Sequence, residues 1–227
     1  MAGEMVRFPS NGQESQGYLA KPSSGSGPGV IVIQEWWGLV PHIKDICERF
    51  AGEGFVALAP DLYHGQTTTE PDEAGKLLMA LDIERAARDL RGAADYLLAN
   101  GGATGERVGV VGFCMGGQLA LYAATVAPEK VGACVDFYGV HPNVKPRWER
   151  VQGAVLILVA EKDEMLSTRV AREIERRLRK LGKSVDVIVY PGTDHAFFNN
   201  TRPEVYNRAA AADAWRRTLD LLRAQLR

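Results

Sequence analysis

The chain has 227 residues, of which 46% are hydrophobic, and a formal net charge of −1. That length suits one α/β domain, residues 1–227, and is short for two, because single cores grow to roughly 250–300 residues before a chain splits. The composition excludes a disordered chain, and the charge excludes the strongly basic surface that binds nucleic acid.

Three cysteines, Cys47, Cys114 and Cys134, form a sparse, odd set without C-x-x-C spacing. Neither a disulfide framework nor a metal site is expected from them, and a reducing, cytoplasmic setting fits best. The opening MAGEMVRFPS lacks the apolar core of a signal peptide. No apolar run approaches the roughly 18 residues that would cross a membrane, so no membrane partner is expected.

In chain order, Glu14–Lys21 alternates as an outer strand and a Pro/Ser/Gly turn follows. Val30–Gln34 is a continuous apolar run, the pattern of a strand buried on both faces, and it delivers Glu35-Trp36-Trp37-Gly38 at its end. Ile43, Ile46, Cys47 and Phe50 keep helical spacing after Pro41, and Phe55–Ala59 is the next strand. Tyr63–Pro71 is irregular, and Leu77–Leu98 reads as one or two helices. Val108–Gly117, VGVVGFCMGG, reads as a strand, a sharp turn at Cys114 and the start of a helix reaching about Val126. Val131–Phe137 and Ala154–Ala160 are further buried strands, with His141–Arg150 as a loop or short helix between them. Ser167 caps a helix ending at Gly182, and Val185–Tyr190 is the last strand, leading through Pro191-Gly192 to His195. Pro203 is expected to open the final helix, striped by Val205, Ala209, Ala212, Trp215, Leu219, Leu222 and Leu226.

Continuous apolar strands alternating with amphipathic helices imply a mostly parallel sheet covered by helices on both faces, with ligands bound beyond the C-terminal strand ends. Glu35, Cys114, Asp163 and His195 all fall at that edge. Cys114, Asp163 and His195 follow the order nucleophile, acid, base used by the α/β-hydrolase fold, with Gly112 and Gly116 giving the nucleophile turn its room. His42, His64 and His141 compete with His195 as base, and Asp136 and Glu161 compete with Asp163 as acid. The amide of Met115, at a helix N-terminus, is the expected oxyanion donor, with the Trp36 amide as the second. Trp36 and Trp37 offer apolar area to an acyl or ring group.

These pieces, Gln34-Glu35-Trp36-Trp37-Gly38, Pro60-Asp61-Leu62-Tyr63, Gly112–Gly117, Phe137-Tyr138-Gly139, Asp163 and His195–Asn199, resemble the dienelactone hydrolase family of α/β-hydrolases. The resemblance spans essentially the whole chain. It implies that Cys114 attacks an ester or lactone to give a thioester acyl-enzyme, that His195 with Asp163 activates water, and that Glu35 helps to generate the thiolate. No cofactor is implied, the partner is a small-molecule ester or lactone, and the protein is expected as a monomer or small homo-oligomer. Trp37, Tyr138, Phe197 and Asn199 are the expected substrate contacts. Family members acting on dienelactone carry an arginine four residues after the histidine, where this chain has Asn199. A second arginine and a tyrosine of the family fall by eye at Pro71 and Gly75. A broader esterase or lactonase is therefore expected ahead of a strict dienelactone hydrolase. A non-catalytic binding or redox-sensing homologue is the remaining alternative, while Arg202 and Arg85 read as surface arginines ahead of substitutes for the missing carboxylate clamp.

Overall fold

The computed structural model describes residues 3–226. It contains one eight-stranded sheet in the order β1-β2-β4-β3-β5-β6-β7-β8. The strands are β1 (Glu4–Ser10), β2 (Gln13–Ala20), β3 (Gly27–Ile33), β4 (Val56–Pro60), β5 (Ala103–Phe113), β6 (Val131–Phe137), β7 (Ala154–Ala160) and β8 (Val185–Tyr190). β1 and β2 run antiparallel to their neighbours, and β4, β3, β5, β6, β7 and β8 are mutually parallel.

The helices are α1 (Pro41–Gly52), α2 (Pro71–Ala80), α3 (Ile83–Tyr96), α4 (Met115–Val126), α5 (Thr168–Lys180) and α6 (Arg208–Gln225). They lie on both faces because the central strands are apolar on both. Along β3, Ile31 and Ile33 pack with Leu90 of α3, Leu119 of α4 and Leu178 of α5. Val30 and Val32 point the other way, into a cluster with Ile43 and Ile46 of α1 and Leu222 of α6. The two-residue period of a strand thus divides the core into two layers.

Several boundaries differ from the sequence reading. β1 was not expected, because its residues are mostly exposed and only Phe8 and Ser10 are buried, so no apolar run marks it. Leu77–Leu98 is broken at Leu81–Asp82, where Asp82 caps α3 by accepting the Arg85 amide at 3.0 Å. Pro203 does not open the last helix. Asn207 caps α6 by accepting the Ala210 amide at 3.0 Å, and Ala209 and Ala212, expected on its buried stripe, are exposed. Ala210, Ala211, Ala214 and Thr218 form the buried stripe with Leu219 and Leu222 instead. Between His141 and Arg150 the only helical turn is the short one at Trp148–Arg150.

Candidate active site

The candidate catalytic residues lie on loops that leave the C-terminal ends of β3, β5, β7 and β8. β5 stops at Phe113, and Cys114 turns the chain sharply into α4 with φ 54° and ψ −124°. This is the left-handed side of backbone space, uncommon for a residue with a side chain. The turn is held by the Cys114 amide, which donates to Phe137 O at 3.0 Å, and by the Cys114 carbonyl, which accepts from Gly117 N at 2.9 Å. It needs glycine on both sides. A Cβ at Gly112 would lie 1.9 Å from Gly116 O, and one at Gly116 would lie 2.4 Å from Gln34 O. The Tyr63 hydroxyl bonds the Met115 sulfur at 3.2 Å and steadies the start of α4 from beneath. As the first residue of that helix, Met115 has an amide without an intrahelical acceptor.

His195 and Asp163 are brought together from the loops after β8 and β7. His195 Nδ1 lies 2.7 Å from Asp163 Oδ2. The other carboxylate oxygen, Oδ1, accepts from the amides of Met165 at 2.8 Å and Leu166 at 3.1 Å, so the acid is held from both sides. Nε2 of His195 is buried and makes no hydrogen bond of good geometry. Burial opposes a charge on the ring, yet Asp163 and then the neighbouring Cys114 side chain outweigh it and raise the imidazole pKa to about 10. The pair thus makes the imidazole a strong acceptor for a proton from the sulfur.

Of the competing residues, His64, His141 and Glu161 are engaged elsewhere. His64 pairs with Asp89 at 3.1 Å, His141 contacts Leu78 O at 3.2 Å, and His42 sits in α1. Glu161 accepts the Gly192 amide at 2.8 Å. Asp136, at the end of β6, is fully buried without a hydrogen bond to either side-chain oxygen. Burial raises its pKa to about 7.

Glu35 is 2% exposed. Its Oε2 accepts from Asn199 Nδ2 at 2.9 Å, while Oε1 is buried without a partner. Burial raises its pKa, with His195, Asn199 and Arg202 each pulling in the opposite direction. Asn199, expected against substrate, lines a cavity next to Trp37 and is also held by protein groups. Its Oδ1 accepts from Thr201 N at 3.0 Å and Thr201 Oγ1 at 2.7 Å, so its amide is fixed to present Nδ2 to Glu35.

The candidate catalytic cleft, about 50 Å³, is lined by Glu35, Trp36, Trp37, Cys114, His195 and Arg202, together with Met165 and Ala196. Trp37 faces this cleft. Tyr138 and Phe197 do not: both are fully buried, with Tyr138 5.0 Å from the His195 ring and Phe197 between Tyr138 and Tyr190. They brace the histidine loop from behind, a correction that follows from β6 and β8 ending beneath that loop. Arg202, read as a surface arginine, stands on the cleft wall with its Nε 2.8 Å from Glu204. No periodicity marks it, because it lies in a turn.

Comparison with known proteins identifies the family. Residues 15–226 match the family model described as dienelactone hydrolase family. The chain is 40% identical to "Protein usf" of Aquifex pyrophilus, covering 99% of each chain. It is 36% identical to "Putative carboxymethylenebutenolidase" of Aquifex aeolicus, covering 99% of this chain and 100% of that one. A crystal structure named "Putative Dienelactone Hydrolase" from Klebsiella pneumoniae superposes with a TM-score of 0.87 at 29% identity, covering 98% of this chain and 99% of the other. With the α/β-hydrolase strand order and a family match over nearly its whole length, the chain belongs to the dienelactone hydrolase family and is a hydrolase of ester or lactone bonds.

Proposed function

We propose that the protein is a cysteine-dependent hydrolase of small carboxylic esters or lactones, acting through a thioester acyl-enzyme. Supporting this most directly is the 2.7 Å contact of His195 Nδ1 with Asp163, which leaves the buried Nε2 facing the Cys114 side chain on its strained turn.

In this mechanism the Cys114 thiol gives its proton to His195 Nε2 and the sulfur attacks the carbonyl carbon. The oxyanion that forms is met by the amides of Met115 and Trp36, the former reinforced by the α4 dipole. The C–O bond then breaks, and the alkoxide leaves with the proton held by His195. Water enters, His195 takes one of its protons, and the hydroxide attacks the thioester. The C–S bond breaks, the acid departs and the sulfur regains a proton. Asp163 orients the imidazole throughout and favours its charged form. Glu35, held by Asn199, assists formation of the thiolate. An exposed, permanent thiolate would be open to oxidation, and a carboxylate poised over the site limits that state to turnover.

Cys114→Ala is expected to abolish hydrolysis of p-nitrophenyl acetate, and wild-type turnover by this variant would remove Cys114 from its role. The second reading is a strict dienelactone hydrolase, favoured by the names of relatives such as that of Aquifex aeolicus. Comparing kcat/KM for cis-dienelactone and short neutral esters separates the two. Asn199, committed to Glu35, leaves no arginine at its position to grip a carboxylate, which favours the broader activity. All three cysteines are free, which supports a reducing, cytoplasmic location.

A further inference from the structure

The candidate catalytic cleft, at about 50 Å³, is far smaller than the roughly 300–1,000 Å³ of small-molecule sites, so a bulky ester would extend beyond it. A second cavity of about 450 Å³ adjoins the first, with Trp37 and Arg202 in the walls of both. That volume lies within the roughly 300–1,000 Å³ range of small-molecule sites. Its wall is completed chiefly by Val40, Pro41, His42 and Thr69.

The charge on this wall is low. His42 is 5% exposed, and neither ring nitrogen makes a hydrogen bond of good geometry. Burial holds its pKa down at about 4, so the imidazole is neutral at pH 7. Arg202, at the mouth, is paired through Nε with Glu204. The remaining surface is an indole ring, aliphatic groups, threonine methyls and hydroxyls, and the Asn199 carboxamide, which is neutral and already bonded to Glu35 and Thr201, so the wall suits an apolar ring better than an anion.

We propose that this second cavity is the subsite for the larger substituent of the ester, and that it takes a neutral, ring-sized apolar group. The assignment rests on the hydrolase reading above and names the substrate class: neutral esters with one bulky aryl or alicyclic side. Trp37 forms the partition, touching both the reacting carbonyl's cleft and the ring's cavity.

Thr69 permits a test with little risk to folding, because it is exposed and its side chain makes no hydrogen bond among the described residues. In Thr69→Trp, the ratio of kcat/KM for benzyl acetate to that for methyl acetate is expected to fall at least tenfold, mainly through KM. Thr69→Ala should leave the ratio undiminished. A ratio that ignores residue 69 overturns the assignment, as does a preference for 4-carboxybenzyl acetate over benzyl acetate. A second readout needs no turnover. The ketone 4-phenylbutan-2-one, an unreactive shape analogue of benzyl acetate, should quench tryptophan fluorescence of Cys114→Ala saturably. Its affinity should weaken at least tenfold in the Cys114→Ala/Thr69→Trp double variant, and equal affinity would count against the cavity. If wild type hydrolyses neither ester while ketone binding still depends on residue 69, the hydrolase reading fails and the binding site stands. If both esters turn over with a ratio and a ketone affinity indifferent to residue 69, the cavity assignment fails alone.

Discussion

Asn199 Nδ2 donates to Glu35 Oε2 at 2.9 Å, joining two side chains 164 residues apart and each 2% exposed. The bond turns what would be an isolated buried acid into an anchored one. It also makes Asn199, which lines the larger cavity, the residue that positions Glu35. Asn199→Ala strips the carboxylate of this donor, and Glu35 is then left to burial, which favours its neutral form. The acid limb of the kcat/KM–pH profile should move to higher pH. Activity at pH 7 should fall about tenfold, the scale of one hydrogen bond to a charged group. An unchanged limb would separate Glu35 from thiolate formation.

Cys114 sits where glycine would be comfortable, with φ 54° and ψ −124°. Strain of this kind costs about 1–3 kcal/mol and persists where function requires it. Cys114→Gly is expected to abolish ester hydrolysis and yet unfold in urea at a midpoint no lower than wild type. Relief of strain offsets the loss of the small buried side chain. A stability loss above about 2 kcal/mol would mean that the turn is not strained.

Gly116 answers to a different constraint. A Cβ there meets Gln34 O at 2.4 Å and Ile33 O at 2.6 Å, both of them backbone atoms that cannot swing aside. Gly116→Ala should push the elbow away from the end of β3, where Glu35 begins. We expect loss of activity together with a destabilisation of several kcal/mol, the outcome of overpacking a close backbone approach. Thermal unfolding and esterase assays of the purified variant measure both.

Asp136 lies fully buried beneath the elbow, and Oδ1 fills the space that a Cβ on Gly117 or Gly139 would need, 2.2 Å from each. Its pKa rises from 3.8 to about 7 through burial. Between pH 4 and pH 7 the unfolded chain therefore gives up this proton while the folded protein keeps it. Stability contributed by the neutral acid is present below pH 4 and lost as pH rises through 7. Asp136→Asn keeps the shape without the titration. It should stabilise the protein at pH 8 relative to wild type by on the order of a few kcal/mol, with little gain at pH 4. Urea unfolding at the two pH values tests this, and an equal effect at both would be contrary.

His195 gives a dependence of the same sign over a higher range. Burial opposes its charge, but Asp163 and Cys114 raise the folded imidazole pKa from 6.5 to about 10. The stabilisation is fully present below about pH 6.5 and is lost as pH rises towards 10. In Asp163→Asn the contribution of this ion pair should vanish, flattening the loss of stability between pH 7 and pH 10. A variant with the wild-type slope would place the source of that slope elsewhere.

Much of this site was legible along the chain. Glycines around Cys114, strand-terminal positions for Asp163 and His195, and apolar runs long enough only for buried strands are local patterns, set by backbone sterics and by the two-residue period of strands. Those patterns alone determined the alternation of strands and helices and the sheet edge at which Glu35, Cys114, Asp163 and His195 lie. Elements without a local signature were not legible. β1 is mostly exposed, and the start of α6 depends on the cap at Asn207 rather than on Pro203. The tertiary structure alone decided that Asn199 holds Glu35, that Tyr138 and Phe197 brace the histidine loop, that Arg202 walls the cleft and that a second cavity adjoins it. Each of these is a contact between segments far apart in the chain. Their distance and direction come from how the loops after β3 and β8 pack against each other, a relationship that no local sequence pattern encodes.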